Sequence, residues 1–578
     1  MKRGGKTLAL AFIGVAAVVA IIAVAVVLSH GVEKGTVIEL TISGPIMEER
    51  DTSLYGKLFQ GDVTLTHELT DVLDKAARDE SVAGIMAVIK PFSAGPATIE
   101  ELRGAIEAFH DSGKWSVAYV EGAGEFNQGT MTYWLASAFD ELTMPPAGDV
   151  NLVGIMATVP FLRGVLDHLG VYPDVHHIGA YKSAKDLYTE KKFTPAHREA
   201  TEAWVGDIYE SIVEGIASSR GWTTDAVKAL IDRGPFTGEE ALKEGLIDKL
   251  AYYDEFREAV KDRAGGHLTT LDWREYADRR SGFGEGTHKI AVIHATGAVV
   301  RGRSGYDPGA GFLLGSETIT KAIRQARKDR SIEGIILRVD SPGGSALASD
   351  VIWRETDIAR KEKPVVASYG DLAASGGYYL SCSADRIIAE PSTLTGSIGV
   401  VFGKMVTKGL FDWLGFSFEE VQRGKNAGLW SELHRWTPEE EKNYTEKFLK
   451  VVYDRFVQHV ADGRDMSTEA VDKVGQGRVW TGRRAVEIGL VDELGGFDAA
   501  VRAVKKLAKI PEDEGVRLVD LPEKEPWWRS LWGGAETVAR PPETARMVLR
   551  ELRPVAIASI FNGEPALISP AALSLDLP

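Results

Sequence analysis

Cysteine is almost missing from this chain. The single Cys382 excludes an intramolecular disulfide framework and any CxxC zinc site. The twelve histidines include no HExxH pair, so a motif-based metal site has no support either. Basic charge is also scarce. The 67 Lys and Arg residues face 83 Asp and Glu, a formal charge of −16. Neutralising phosphates needs a basic face, so no nucleic-acid partner is expected. Wholesale disorder is excluded by an ordinary globular composition, 44% hydrophobic and 26% charged. A length of 578 residues exceeds the ~250–300 at which a single core stops growing, so at least two domains are expected.

The N-terminus departs from this average. Residues 1–6 (MKRGGK) carry three basic side chains, and the 21 residues from Leu8 to Leu28 are all apolar or glycine. At ~1.5 Å per residue a helix of that length covers a ~30 Å hydrocarbon core. A cleaved signal peptide has an apolar region of only ~7–15 residues, and here the A-x-A matches lie inside the run. The expected arrangement is a cytoplasmic segment 1–6 and a transmembrane anchor 7–29. The positive-inside rule puts the rest of the chain across the membrane.

The remainder is duplicated. Ser81–Ile89 (SVAGIMAVI) matches Ser331–Val339 (SIEGIILRV) at an offset of 250, and Tyr133–Asp140 matches Tyr378–Asp385 at 245. Phe236–Asp248 (FTGEEALKEGLID) matches Trp480–Asp492 (WTGRRAVEIGLVD) at 244. A slow drift of offset is what small loop deletions produce, so two repeats are expected, 36–285 and 286–510, followed by a tail, 511–578. Lys289–His294, Gly334–Val339 and Pro364–Ser368 read as buried strands. Ser316–Asp329 and Ser345–Lys361 carry apolar residues at helical spacing. Strand–helix alternation predicts an α/β fold with parallel strands and crossover helices. In the tail, the cluster Trp527, Trp528 and Trp532 suits a membrane interface, a partner or its own domain.

Chemistry-bearing motifs concentrate in the second repeat. Asp340–Ser345 (DSPGGS) places paired glycines, Gly343 and Gly344, between a strand and a helix, where backbone N–H groups can approach a phosphate or an oxyanion. Ala373–Tyr379 (AASGGYY) sets Ser375 among small residues, open enough for a nucleophile and equally suited to capping the next helix. Ser392–Val400 (STLTGSIGV) adds Ser397. At the aligned positions the first repeat has Ser93 and Ala94 for the glycine pair, Thr130 for Ser375 and Leu152 for Ser397. Scaffold is kept in both copies and polar apparatus in one, which favours function over folding. None of the histidines sits in a context suggestive of a triad base, His176 and His177 included. Lysine is the other base, if burial populates its neutral amine. Lys182 in Gly179–Ala184 (GAYKSA) is flanked by small residues, and its second-repeat counterpart is Lys425 in Arg423–Ala427 (RGKNA).

Through GAYKSA, DSPGGS, AASGGYY and TLTGSIG, from the anchor to about residue 500, the chain resembles the signal peptide peptidase A family in its long, two-repeat form. That resemblance implies tandem Clp/crotonase-like α/β repeats and a membrane-anchored serine endopeptidase with a Ser–Lys dyad. By motif, Ser375 is the nucleophile, Lys182 the general base, Gly344 an oxyanion donor supported by Gly343, and Ser397 the residue that holds the lysine. It also implies a homotetrameric bowl in which lysine reaches serine across a subunit boundary. Lys425 stands as the alternative base, since it completes a single-repeat arrangement with Ser375. No cofactor is implied. The expected partners are hydrophobic peptides, such as cleaved signal peptides, and lipid of a bacterial cytoplasmic membrane, with the catalytic repeats on its outer side. A crotonase-type acyl-CoA enzyme and a non-catalytic membrane scaffold are the rival readings.

Overall fold

The computed structural model describes residues 31–50, 63–124, 128–307 and 310–522, with the backbone of 566–568. The expected anchor and the tryptophan cluster lie outside these residues. Among the described residues no helix is long and apolar enough to cross a membrane.

The first repeat runs β1 (Thr36–Met47), α1 (Thr66–Arg78), β2 (Val82–Ser93), α2 (Pro96–Asp111), β3 (Trp115–Val120), α3 (Thr130–Ala136), β4 (Glu141–Met144). Further along the same repeat come the arm strand β5 (Tyr172–Ile178) and the long helix α4 (Pro195–Arg220). The sheet order is Thr270–Asp272, β1, β2, β3, β4, Lys249–Leu250, parallel throughout. The pattern is the expected one: near-continuous apolar strands joined by helices, each helix burying one stripe on the sheet. Helix α1 turns Leu69, Val72, Leu73 and Ala76 inward.

The second repeat repeats this wiring. It runs β6 (His288–Thr296), β7 (Ala298–Val300), α5 (Ser316–Lys328), β8 (Ile332–Ser341), β9 (Gly343–Ser345), α6 (Ala346–Arg360), β10 (Val365–Ala374) and α7 (Gly376–Ser381). Then follow β11 (Leu394–Gly396), β12 (Val400–Val406), α8 (Phe497–Ala508), β13 (Val516–Leu521) and β14 (Ala566–Ile568). Strands β13, β6, β8 and β10 lie side by side and parallel. Val37 pairs with Gly84 across β1–β2, and Ile290 with Gly334 across β6–β8, so even the register is duplicated. Strand β8 is buried on both faces. Ile335, Leu337 and Val339 join the main core, while Ile336 packs with Ala499, Ala500 and Val504 of α8.

Two expectations are amended. Strand β10 continues six residues past Ser368, because Leu372–Ala374 pair with β11, a long-range partner that local pattern does not announce. The second sheet extends past residue 510 to β13, the counterpart of Thr270–Asp272. Edge strand β13 is largely exposed, so it lacks the continuous apolar run that marks the inner strands.

Two features lock the repeats together. Strand β5 of the first repeat pairs antiparallel with β12 of the second, from Ile178 opposite Val400 to Tyr172 opposite Val406. Helix α2 begins at Gly95 without a side-chain cap of its own. Asp371 of the second repeat accepts from the N–H groups of Ala97 (2.8 Å) and Thr98 (3.1 Å) and from the Thr98 hydroxyl (2.7 Å). These N–H groups are among those a helix leaves without an internal partner. Beside them Arg338 is buried between Glu48 and Glu101.

Candidate active site

Strand β10 ends at Ala374, and Ser375 turns the chain into α7 with φ 56° and ψ −113°. That left-handed conformation is costly for a residue with a Cβ, and such strain clusters at functional sites. Ser375 precedes the helix but makes no capping bond with its side chain. Its hydroxyl is therefore available for something else. The backbone is pinned, since the Ser375 N–H donates to the Gly396 carbonyl at 2.8 Å.

The glycines around it are demanded by close approach. A Cβ on Gly376 would lie 2.7 Å from Ser349 Oγ and 3.0 Å from the Gly344 nitrogen. A Cβ on Gly344 would lie 2.2 Å from the Val299 carbonyl oxygen. Strand β9 thus passes directly over the turn that carries Ser375. The Gly343 N–H is taken up by Ser341 Oγ at 3.2 Å, which makes that residue a support of the turn.

Lys182 arrives from the other repeat. Beyond β5 the chain turns at Gly179 (φ 110°), and the loop at Gly475–Arg478 clamps it. The Tyr181 N–H donates to the Gln476 carbonyl at 2.8 Å, and Gly477 packs so tightly that a Cβ there would lie 2.6 Å from Lys182 Cα. The same loop holds the third motif, because the Gly477 N–H donates to the Ile398 carbonyl and Ser397 N–H to the Arg478 carbonyl.

The Lys182 Nζ lies 2.7 Å from Ser375 Oγ, 3.0 Å from Ser397 Oγ and 3.0 Å from the Ser397 carbonyl oxygen. Lys182 is 1% exposed and Ser375 0%. Burial holds the Lys182 ammonium well below its ordinary value, with no carboxylate offsetting the effect. Desolvation thus favours the neutral amine beside a hydroxyl. A neutral amine has two N–H donors and one lone pair. Two donors can serve the two Ser397 oxygens, leaving the lone pair for the Ser375 proton.

Lys425 stands apart. Its side chain is 81% exposed and pairs with Glu439 at 3.2 Å. His176 pairs with Asp174 and Glu441, and His177 Nδ1 lies 2.9 Å from the Gly179 carbonyl. The Lys182–Ser375 contact is made within one chain, whereas the sequence resemblance implied one made across a subunit boundary. Sequence reasoning missed the Gly475–Arg478 loop; its trace is the GQGR run, in which Gln476 and Gly477 both take positive φ. It also missed Asp340, the first residue of DSPGGS, which accepts from the Leu372 N–H at 3.0 Å and ties β8 to the strand carrying Ser375.

Thr130, the first-repeat counterpart of Ser375, has its hydroxyl engaged structurally. It donates to the Gly154 carbonyl at 2.8 Å and accepts from the Val153 N–H at 3.2 Å.

The chain is similar to known peptidases across both repeats. The model of Peptidase family S49 matches residues 108–266 and 357–511, one region in each repeat. Serine protease SPPA, chloroplastic, of Arabidopsis thaliana is 35% identical over 85% of this chain and 72% of its own. Protease 4 of Salmonella typhi is 34% identical over 82% of this chain and 78% of its own. Protease 4 of Haemophilus influenzae is 30% identical over 78% and 74%.

Proposed function

The chain belongs to peptidase family S49 and is a serine protease, and on that premise we propose that it cleaves peptides with a Ser375–Lys182 dyad built across its two Clp/crotonase-type repeats. The observation that carries this reading is the buried Lys182 Nζ at 2.7 Å from Ser375 Oγ. Neutral Lys182 takes the hydroxyl proton as Oγ attacks the peptide carbonyl. The Gly344 N–H, brought over the turn by β9, is the proposed donor to the oxyanion, a contribution worth ~3–4 kcal/mol in well-studied cases. The Lys182 ammonium then protonates the leaving amine, and the acyl group stays on Ser375. A water gives its proton to Lys182 and attacks the ester; as the C–Oγ bond breaks, Lys182 returns the proton to Ser375 Oγ and the product acid is freed. Ser397 keeps the amine aimed at Ser375.

The substrates are extended hydrophobic peptides, remnants of cleaved signal peptides among them. An anchor at Leu8–Leu28 would hold the repeats close to the bilayer that releases such peptides, on its extracytoplasmic face. A homotetramer also fits the duplication. The first-repeat arm is covered by β12, but the matching second-repeat arm is not: Trp413, Phe416, Phe418 and Val421 are all exposed. Residues 155–161, the first-repeat counterpart of β12, form no helix or strand and join no sheet. The second-repeat arm of one copy docking there on the next copy repeats the internal contact and generates a head-to-tail ring.

Fluorophosphonate labelling tests the nucleophile. The wild-type chain is expected to label, and Ser375→Ala to lose both labelling and peptide hydrolysis. Lys182→Ala should lose hydrolysis, while Lys425→Ala should retain it. Hydrolysis undiminished in Ser375→Ala removes the dyad.

A further inference from the structure

Away from the dyad, a cavity of about 510 Å³ opens between the two repeats. Helices α2 and α4 of the first repeat wall it on one side, the start of α8 and the chain around Glu390 on the other. Three carboxylates meet there, Glu100 and Glu101 from α2 and Glu390 from the second repeat. Glu100 is satisfied, accepting from the Ser392 N–H and hydroxyl, each at 2.8 Å. Glu101 gives one oxygen to Arg338 at 2.8 Å. The Glu390 side chain, 8% exposed, accepts no hydrogen bond and makes no ion pair among the described residues. A Cβ on Gly496 would lie 2.7 Å from both Glu101 Cγ and Glu390 Oε1, so these two side chains are neighbours across the repeat boundary.

The nearby arginines are committed elsewhere. Arg338 has five N–H donors and spends them on Glu48, Glu101, the Ser368 hydroxyl and the Tyr369 carbonyl. Arg103 donates to the Gly215 carbonyl and the Ser219 hydroxyl, and Arg483 pairs with Glu214 at 2.6 Å. Arg502 is exposed on α8, where it interacts with Asp498. Excess negative charge is left in a buried place, which is costly until a proton or a cation neutralises it. Burial and the neighbouring Glu100 and Glu101 push the Glu390 carboxyl well above the usual range. A metal ion does not suit the site. Among the described residues no three carboxylates, histidines or cysteines converge closely enough to hold one. A cation that reaches outward through several N–H donors can span the same gap.

We propose that this cavity binds a small organic cation, an ammonium or guanidinium compound, held by Glu390 of one repeat and the free oxygen of Glu101 of the other. The cavity size is that of an ordinary small-molecule site. The occupant ties α2 to the segment leading into β11, whose Gly396 carbonyl holds the Ser375 N–H. Binding therefore stabilises the docked pair of repeats by linkage. Neither Ser375 nor Lys182 takes part, so the site stands apart from the dyad.

Calorimetric titration of the full chain with agmatine, which carries both groups, tests the site. One agmatine per chain is expected, together with a raised Tm. Affinity should increase as pH rises, because the carboxyls must first lose their protons. Urea, a neutral analogue of guanidinium, should give no heat. Glu390→Gln keeps the shape and removes the charge, so it should weaken agmatine at least ~10-fold. Its own Tm without ligand should equal or exceed that of the wild type, since a buried unpaired charge is gone. Gly496→Ala keeps every charge but crowds the two carboxyls, and should weaken agmatine as well. No saturable heat with agmatine, or equal affinity in the wild type and Glu390→Gln, overturns the site. Displacement of agmatine by Mg²⁺ alone overturns the assignment to an organic cation.

Discussion

A lysine surrounded by protein with no acid to neutralise it is an expensive residue, and Lys182 is one. Its native ammonium is held well below the ordinary 10.5 by burial. Between the native value and 10.5 the unfolded chain carries the proton and the native chain does not. Stability therefore rises with pH across that window, by at most ~1.4 kcal/mol per pH unit. Lys182→Met should remove this rise, which denaturant unfolding at several pH values will check. Activity has the same sign: kcat/KM should climb with pH as the amine deprotonates and level off well below 10.5. Ser397→Ala removes the hydroxyl that steadies the amine, and a lost buried hydrogen bond of ~1–3 kcal/mol predicts a roughly 5- to 150-fold drop in kcat. The motif residues Ser375, Lys182, Gly343, Gly344 and Ser397 were all legible, since small neighbours and paired glycines mark places where backbone or ligand must come close. Gly477 was not, because a glycine that makes room for a neighbouring main chain looks like any turn glycine until that neighbour is known.

At the level of elements, the pairing of β5 with β12 is what delivers Lys182 to Ser375. Gly403 of β12 sits opposite Val175, and a Cβ there would lie 2.6 Å from Val175 Cα and from the Asp174 carbonyl oxygen. Backbone cannot yield as a side-chain tip can. Gly403→Val should therefore displace β5, cutting kcat/KM at least ~100-fold, since misplacement by ~1 Å can cost that much. Circular dichroism should show both repeats still folded, because each sheet closes without this contact. The inner strands and the helices α5 and α6 follow from local periodicity. Strand β13 and the end of β10 do not, because an exposed edge and a distant partner leave no apolar run to read.

At the scale of the whole molecule, duplication followed by divergence gave the repeats different tasks. The copy with threonine at position 130 engages its hydroxyl with its own backbone; the copy with Ser375 points its hydroxyl at a lysine from its partner repeat. The proposed dyad therefore lies within one chain, while the proposed ring needs several. In the second-repeat arm, Phe411, Phe416 and Phe418 pack against one another and Trp413 is 76% exposed, an apolar surface of the kind that marks an interface. A Phe416→Asp, Phe418→Asp double variant should sediment as a monomer where the wild type does not. It should still be labelled at Ser375. A variant that stays assembled removes the arm from the interface.

Taken by itself, the sequence determined that the chain is an α/β duplication, that the second copy holds the serine and the glycine turn, and that two lysines compete as base. Those are matters of local pattern and of residue type, which a linear string records directly. Only the tertiary structure showed where the two lysines lie. It buries Lys182 against Ser375, 193 positions away, and leaves Lys425 in solvent beside Glu439. The difference arises because an amine's proton affinity depends on the water around it, and which lysine loses its water is settled by which arm finds a strand to pair with.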